Sequence, residues 1–320
     1  MPRVPLDDLV FAACAPGLEP VLAGELRELG LDATETPGGV ETRGEEAVAL
    51  ICLASRVAET VRIRVYEGRG EGHDAARAEA LRRFGTGADL HVRRAGGKLS
   101  LSVEAAGEPL HRRGWRARIG AAPLRETLAA ALLRVAGWNG DRPFLDPMCG
   151  SGTLAIEAAL MAARHAPGLE RSFAFERFPG HDARRTARLR ERLRAEARPV
   201  AVAIQASDRN MGVLRLAQKN AAAAGVERLI RFERADAATV LPPPGGAGLC
   251  AVNPPFGVRL DEDAAGAWRA LGQLTLRLPG WALAVLGPDR GLERLLPLPP
   301  LRAIPIRNGG LACQLLSFQL

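Results

Sequence analysis

Two short stretches of the chain combine side chains and backbone able to do chemistry. The first is PFLDPMCGSGT, from Pro143 to Thr153. Phe144 and Leu145, following a Pro, predict a short buried strand. Asp146 stands at its end, and Gly150 and Gly152 let the backbone turn tightly and bring N–H groups close to a ligand. Thr153 or Ser151 suits the cap of the helix that follows, TLAIEAALMAARHA. A strand, an acid, a glycine turn and a helix N-terminus form the crevice where parallel α/β sheets bind nucleotide-like ligands. No Lys-Ser/Thr follows the G-x-G, so this is not a Walker phosphate loop, and the third glycine of a dinucleotide fingerprint is missing. An acid at the strand end repels phosphate and suits an ammonium. A ligand with an adenosine and a positive amino group is S-adenosylmethionine (SAM). The candidate cofactor loop is therefore Asp146, Pro147, Met148, Cys149, Gly150, Ser151 and Gly152, although G-x-G alone also fits a structural turn.

The second stretch is Asn253-Pro254-Pro255-Phe256, after a predicted strand at Leu249 to Val252. Two prolines cannot continue a ladder and fix the chain in an extended shape. The Asn253 amide oxygen and the Pro254 carbonyl then become acceptors, with Phe256 as a stacking plate. An exocyclic base amine needs two such acceptors to hold its hydrogens and aim its nitrogen at a methyl donor, while an aromatic ring grips the base face. Between the two motifs, Asp208 ends the strand PVAVAIQAS and is placed for ribose hydroxyls. Asp236 follows the strand Leu229 to Glu233 and is placed to accept from an adenine amine. The bland alternatives are a helix cap for Asp208 and a loop acid for Asp236.

The elements that must position these residues follow from periodicity. Residues 1–108 read as a small α+β module: a strand at Asp8 to Cys14, a helix LEPVLAGELRELG, a hairpin at Asp32 to Arg43, a helix at Glu45 to Leu53, a strand at Val57 to Val65, a helix at Asp74 to Phe84 and a hairpin over Asp89 to Glu104. Residues 109–140 are a basic joint, PLHRRGWRARIG, and a leading helix from Leu124 to Val135. Arg112, Arg113, Arg116 and Arg118 flank Trp115 there, which fits either a nucleic-acid contact or a structural strand with the Trp tucked under it. Residues 141–320 alternate strand and helix, and closing strands at WALAVLG, RAIPIRN and ACQLLSFQL complete a mostly parallel sheet. The fold class is α/β, Rossmann-like, with an N-terminal α+β module.

The whole chain has 320 residues, 47% hydrophobic, enough for about two domains. The net charge is +7, and Lys98 and Lys219 are the only lysines among 43 basic residues. Arginine forks onto phosphate and stacks on bases, so a polyanionic partner is favoured over a purely small-molecule enzyme. Between Arg164 and Arg198 ten arginines face five acids, which fits a solvated helix face or an RNA contact. The five cysteines are dispersed without zinc spacing; with no signal-peptide pattern and no apolar run of about 20 residues, a cytoplasmic protein with no metal and no membrane partner is expected. Cys149 lacks a local partner base and reads as a small lining residue.

At this point LHRRGWRARIGAAPLRETLAAALLRVAGW, LDPMCGSGTLAIEAA and NPPFGVRL together closely resemble the THUMP-containing SAM-dependent RNA guanine-N2 methyltransferases, including those of 23S rRNA. The resemblance covers Pro109 to Val258 well and the N-terminal segment ACAPGLEPVLAGELRELG more loosely. It implies a class I methyltransferase domain at 141–320, a ferredoxin-like plus THUMP module at 1–108 that docks on RNA, SAM as cofactor and guanine N2 as methyl acceptor. Two departures stand out. The N-terminal module is shorter than usual for the group, and Phe256 occupies a position where these enzymes usually carry Tyr. Methylation of a tRNA guanine or of a protein glutamine are the alternative functions.

Overall fold

Alternating burial in the first third of the chain and continuous burial in the last two thirds give two kinds of sheet. The computed structural model describes residues 8–69, 73–95, 97–116, 124–255, 262–289, 296–308 and 310–320. They divide into two compact units, Met1–Arg113 with Ala166–Glu196, and Gly114–His165 with Ala197–Leu320.

The first unit carries β1 (Leu9–Ala13), α1 (Glu19–Glu28), β2 (Thr34–Thr36), β3 (Gly39–Thr42), α2 (Ala47–Ala54), β4 (Thr60–Gly68), α3 (His73–Phe84), β5 (Leu90–Ala95) and β6 (Lys98–Glu104). Its six strands run in the order β2-β3-β1-β4-β6-β5, each paired antiparallel to its neighbour. Alternate side chains of β4 and β6, among them Val61, Ile63, Leu101 and Val103, are buried, as are Leu22 and Leu26 of α1 and Ile51 of α2. Glu25 is buried without cost to the fold because its carboxylate accepts from Ser55 Oγ and from the Arg56 and Val57 N–H groups.

The second unit begins with α4 (Glu126–Val135), β7 (Phe144–Asp146) and α5 (Thr153–Ala162). The intervening segment includes α6 (Ala183–Ala195), which belongs to the first unit. The second unit resumes with β8 (Ile204–Asp208), α7 (Met211–Ala223), β9 (Ile230–Arg234), β10 (Leu249–Val252), α8 (Glu262–Thr275), β11 (Ala282–Pro288), β12 (Arg302–Asn308) and β13 (Leu311–Gln319). The order is β12-β13-β11-β10-β7-β8-β9, with five parallel strands from β11 to β9 and β13 antiparallel between β11 and β12. Every residue of β7 and β10 is buried, as expected for parallel strands covered by helices on both faces. This is the Rossmann-like sheet that the alternation of elements predicts. Strand order reverses between β7 and β10, and such a switch point opens a crevice at the carboxyl ends of the strands.

Two sequence expectations change. The strand expected from Pro199 starts only at Ile204, where Phe144 and Ile230 become available as partners; the residues before it have no ladder to join. The segment from Ala166 to Glu196, read as part of the second domain, packs with the first unit through Gly168 N–H to Leu53 O and Phe175 N–H to Ala105 O.

Candidate functional site

The glycine turn is tied to the end of β8. Cys149 N–H donates to Ser207 O at 2.9 Å, and Gly150 N–H donates to Asp208 Oδ2 at 3.0 Å. The other Asp208 oxygen accepts from Asn210 N–H at 2.8 Å, while buried Asn220 donates to Ser151 O at 3.0 Å. Gly150 and Gly152 sit at φ +50° and +86°, the left-handed region in which other residues are strained. They do different work. A Cβ on Gly152 would come within 3.0 Å of the Ala217 Cβ, so this glycine lets α5 start against α7. A Cβ on Gly150 would meet nothing within 4 Å, so its backbone faces open space.

Asp146 is 1% exposed and lies under the turn, accepting from Met148 N–H at 3.3 Å and from the Ala155 backbone. Burial drives its carboxyl well above the ordinary carboxylate range, against those two hydrogen bonds and with the charge of Asp208 adding to the rise. Burial likewise keeps Cys149 a thiol, helped by Asp146 and Asp208, which fits a small packing residue and not a nucleophile.

A cleft of about 180 Å³ opens at the strand ends. Its lining brings together Pro147, Met148, Asp208, Asp236, Asn253 and Pro255 from the sequence candidates. Asp236 holds its own loop, with Oδ1 accepting from Ala238 N–H at 2.8 Å and its carbonyl from Val240 N–H at 2.9 Å. Asp146, Cys149, Gly150, Ser151 and Gly152 form the framework behind the lining, and Pro254 is buried. Phe256 lies outside the described residues.

Sequence reasoning missed Arg209, Ala237 and the α8 wall formed by Gly266, Ala267 and Ala270. The small residues of AAGAWRA were the available signal, since they leave a helix face flat. It also missed two residues behind the lining. Arg277 donates to the carbonyls of Val240, Ala237 and Ala238 at 2.8, 3.0 and 2.7 Å, closing the loop that carries Asp236. Trp268, 1% exposed, donates through Nε1 to Pro255 O at 3.1 Å.

In the basic joint the structure favours the alternative in which Trp115 is tucked under the chain. Trp115 is 5% exposed, and Arg113 is buried with its guanidinium on the carbonyls of Leu110 and Arg56. Arg116 pairs with buried Glu126 at 3.0 Å and donates to Thr153 Oγ1. These groups are consumed by the protein itself; Arg118 lies outside the described residues. In the arginine-rich segment Arg185 pairs with Glu45 and Glu46, and Arg190 pairs with Glu176, so much of that charge is structural as well. A larger cavity, about 590 Å³ within the first unit, holds none of the motif residues, and its arginines Arg83 and Arg185 are paired with Asp8, Glu45 and Glu46.

Among known families, the RMKL-like methyltransferase domain matches residues 113–317 and the RlmL ferredoxin-like domain matches residues 10–62. A ribosomal RNA large subunit methyltransferase K/L from Chromohalobacter salexigens is 34% identical over 377 aligned positions, covering 96% of this chain and 52% of that protein. One of the same name from Vibrio campbellii is 39% identical over 240, covering 72% of this chain and 34% of that protein. The chain thus spans about half or less of the length of these curated relatives. The crystal structure of SMU.472, described as a putative methyltransferase complexed with SAH, has the same fold, with a TM-score of 0.86, 24% identity and 97% coverage of both chains.

Proposed function

Since the chain belongs to the family of the RMKL-like methyltransferase domain, we propose that it is a SAM-dependent RNA methyltransferase acting on the exocyclic N2 of a guanine, in 23S rRNA. The observation that carries the reading is the convergence of Asp208, Asp236, Met148, Asn253 and Pro255 on one cleft at the switch point of the sheet. SAM fits the residues present: Asp208 ends β8, Asp236 follows the end of the adjacent β9, and the Gly150 backbone faces space that a Cβ would fill. When bound, SAM supplies an electrophilic methyl group. Asp208, already oriented by Gly150 and Asn210, holds the ribose hydroxyls. Asp236 accepts from the adenine amine. The buried Asp146 braces the turn from below.

On the acceptor side, the Asn253 amide oxygen and the Pro254 carbonyl hold the N2 hydrogens, and Phe256 stacks on the flipped base. Hydrogen bonding that draws the nitrogen toward sp³ geometry frees its lone pair from the ring. The rate then comes from positioning and desolvation, without a protein nucleophile. The N-terminal module, ferredoxin-like with a THUMP-type extension at 1–108, holds the RNA, and the protein works in the cytoplasm. Among the described residues no helix is long and apolar enough to cross a membrane.

The test is methyl transfer from labelled SAM to 23S rRNA lacking its native modifications, with the product nucleoside mapped by mass spectrometry. Asn253→Ala is expected to lower transfer by about 100-fold or more while SAM affinity stays within about threefold. Wild-type-like transfer by this variant would remove Asn253 from the mechanism. A methyl group on adenine or on protein would move the activity to another class.

A further inference from the structure

The loop that presents Asn253 has an unusual anchoring problem. Pro254 and Pro255 have no backbone N–H, so this pair cannot fasten itself by donating. Its carbonyls are its backbone handles, and a handle is useful only if a fixed donor meets it. Trp268 supplies that donor. Its Nε1 lies 3.1 Å from Pro255 O, and its ring is 1% exposed in the cluster that includes Leu145 of β7, Cys250 and Val252 of β10, and Leu271 and Leu274 of α8. Met148 of the glycine turn packs against the same cluster. Trp268 is therefore immobile, and its one polar atom reaches the segment just past the strand.

The same helix turn carries the opposite duty. Gly266, Ala267 and Ala270 line the cleft, as does Pro255, whereas Trp268 points away into the core. One turn of α8 thus sets both the width of the cleft and the height of the loop above it. We propose that Trp268 is a positioning residue for methyl transfer: its indole N–H holds Pro255 O so that the Asn253 amide and the Pro254 carbonyl stand at the distance an amine requires. This inference rests on the proposed methyltransferase reading. A shift of about 1 Å at such a site is enough to lose rate by roughly 100-fold.

Trp268→Phe removes the donor and keeps an aromatic ring in the cluster. Four quantities are read on the full chain: thermal midpoint, affinity for SAM, and kcat and KM on unmodified 23S rRNA, with kcat expressed per SAM-binding site. The expected result is a folded protein with SAM affinity within about threefold of wild type, KM little changed and kcat lowered about 10- to 100-fold. A purely structural Trp would lower the midpoint and the number of active sites but leave kcat per site intact. A kcat per site within twofold of wild type therefore overturns the proposal.

A second measurement stands independently of turnover, for the case where the variant does not fold or the wild type methylates another substrate. Exchange of the indole N–H protons is followed in the wild-type protein, with Trp268 assigned by elimination through variants of Trp115, Trp138 and Trp281. A Trp268 proton protected at least about 10-fold more than an exposed indole supports the anchor. Free exchange overturns it, whatever the substrate turns out to be. Absence of transfer to rRNA together with a protected proton would instead fault the substrate reading.

Discussion

Gly150 and Gly152 share a backbone region and differ in what surrounds them, and that difference separates stability from binding. Gly152→Ala puts a Cβ within 3.0 Å of the Ala217 Cβ at a φ of +86°. Strain and overpacking then add to about 2–4 kcal/mol, and the thermal midpoint should fall by several degrees while any folded protein still binds SAM. Gly150→Ala meets no neighbour, so it costs only the backbone strain of about 1–2 kcal/mol, but its methyl enters the proposed ligand space. Its SAM affinity should fall by more than its stability does. Calorimetric titration and thermal melts on the two variants check this, and equal binding losses would dissolve the distinction. Asp146 gives a pH prediction. Its folded-state pKa is raised by burial, so the protonated carboxyl contributes stability that is fully present below the unfolded value of about 3.9 and is lost as pH rises toward the folded value. Asp146→Asn, which does not ionise, should gain on the wild type as pH rises from about 4 to 8. Thermal melts at both pH values read the difference, and a constant gap between the two proteins would show that folding leaves the Asp146 pKa at its unfolded value.

At the scale of elements, the cleft depends on loops held from behind. Arg277, just past α8, closes the loop of Asp236 through three carbonyls. Arg277→Met keeps an unbranched stem and leaves those carbonyls without a charged partner, at a loss of about 1.5–3 kcal/mol. The expected signature is weaker SAM binding with little change in transfer from bound SAM, measured by pre-steady-state methylation; a loss in the transfer step alone would separate this loop from cofactor binding. Such residues explain what the sequence displayed and what it concealed. The strands β7, β10 and β11 were legible as apolar runs closed by Asp, Asn, Gly or Pro. The turn at Gly150 and the prolines after Asn253 were legible because each has a backbone requirement that few residue types meet. Arg277, Trp268 and the Gly266, Ala267, Ala270 face were not, because each acts on residues distant in sequence. The Trp115 joint stayed open for a related reason. Arginine beside an aromatic is the pattern of an RNA contact and also of a buried ion pair, and only Glu126, ten positions beyond Arg116, decides between them.

For the molecule as a whole, the arginine-rich segment changes the account of how the chain is assembled and where its charge is spent. Ten arginines against five acids between Arg164 and Arg198, in a chain of net charge +7, invite an RNA-binding role for that segment. Yet Arg171 donates to Glu108 O, Arg190 to the carbonyls of Leu169 and Arg171, and Arg185 pairs with Glu45 and Glu46. Thr186, Leu189 and Leu193 of α6 are buried, and α6 packs on α2. Gly168 approaches the chain of α2 so closely that a Cβ there would lie 2.4 Å from Cys52 O. The first unit is thus built from two stretches of sequence, and residues 1–113 alone lack one wall of their core. Expressed without 166–196, they should expose the apolar face of α2 and show no cooperative thermal transition. Joined to 166–196 by a flexible linker, the same residues should melt cooperatively, with the loop-closure cost growing only slowly with linker length. Circular dichroism melts of the two fragments decide the matter. A cooperative transition for 1–113 alone would show that the second stretch decorates a finished fold, and the arginines it carries would then be available for RNA after all.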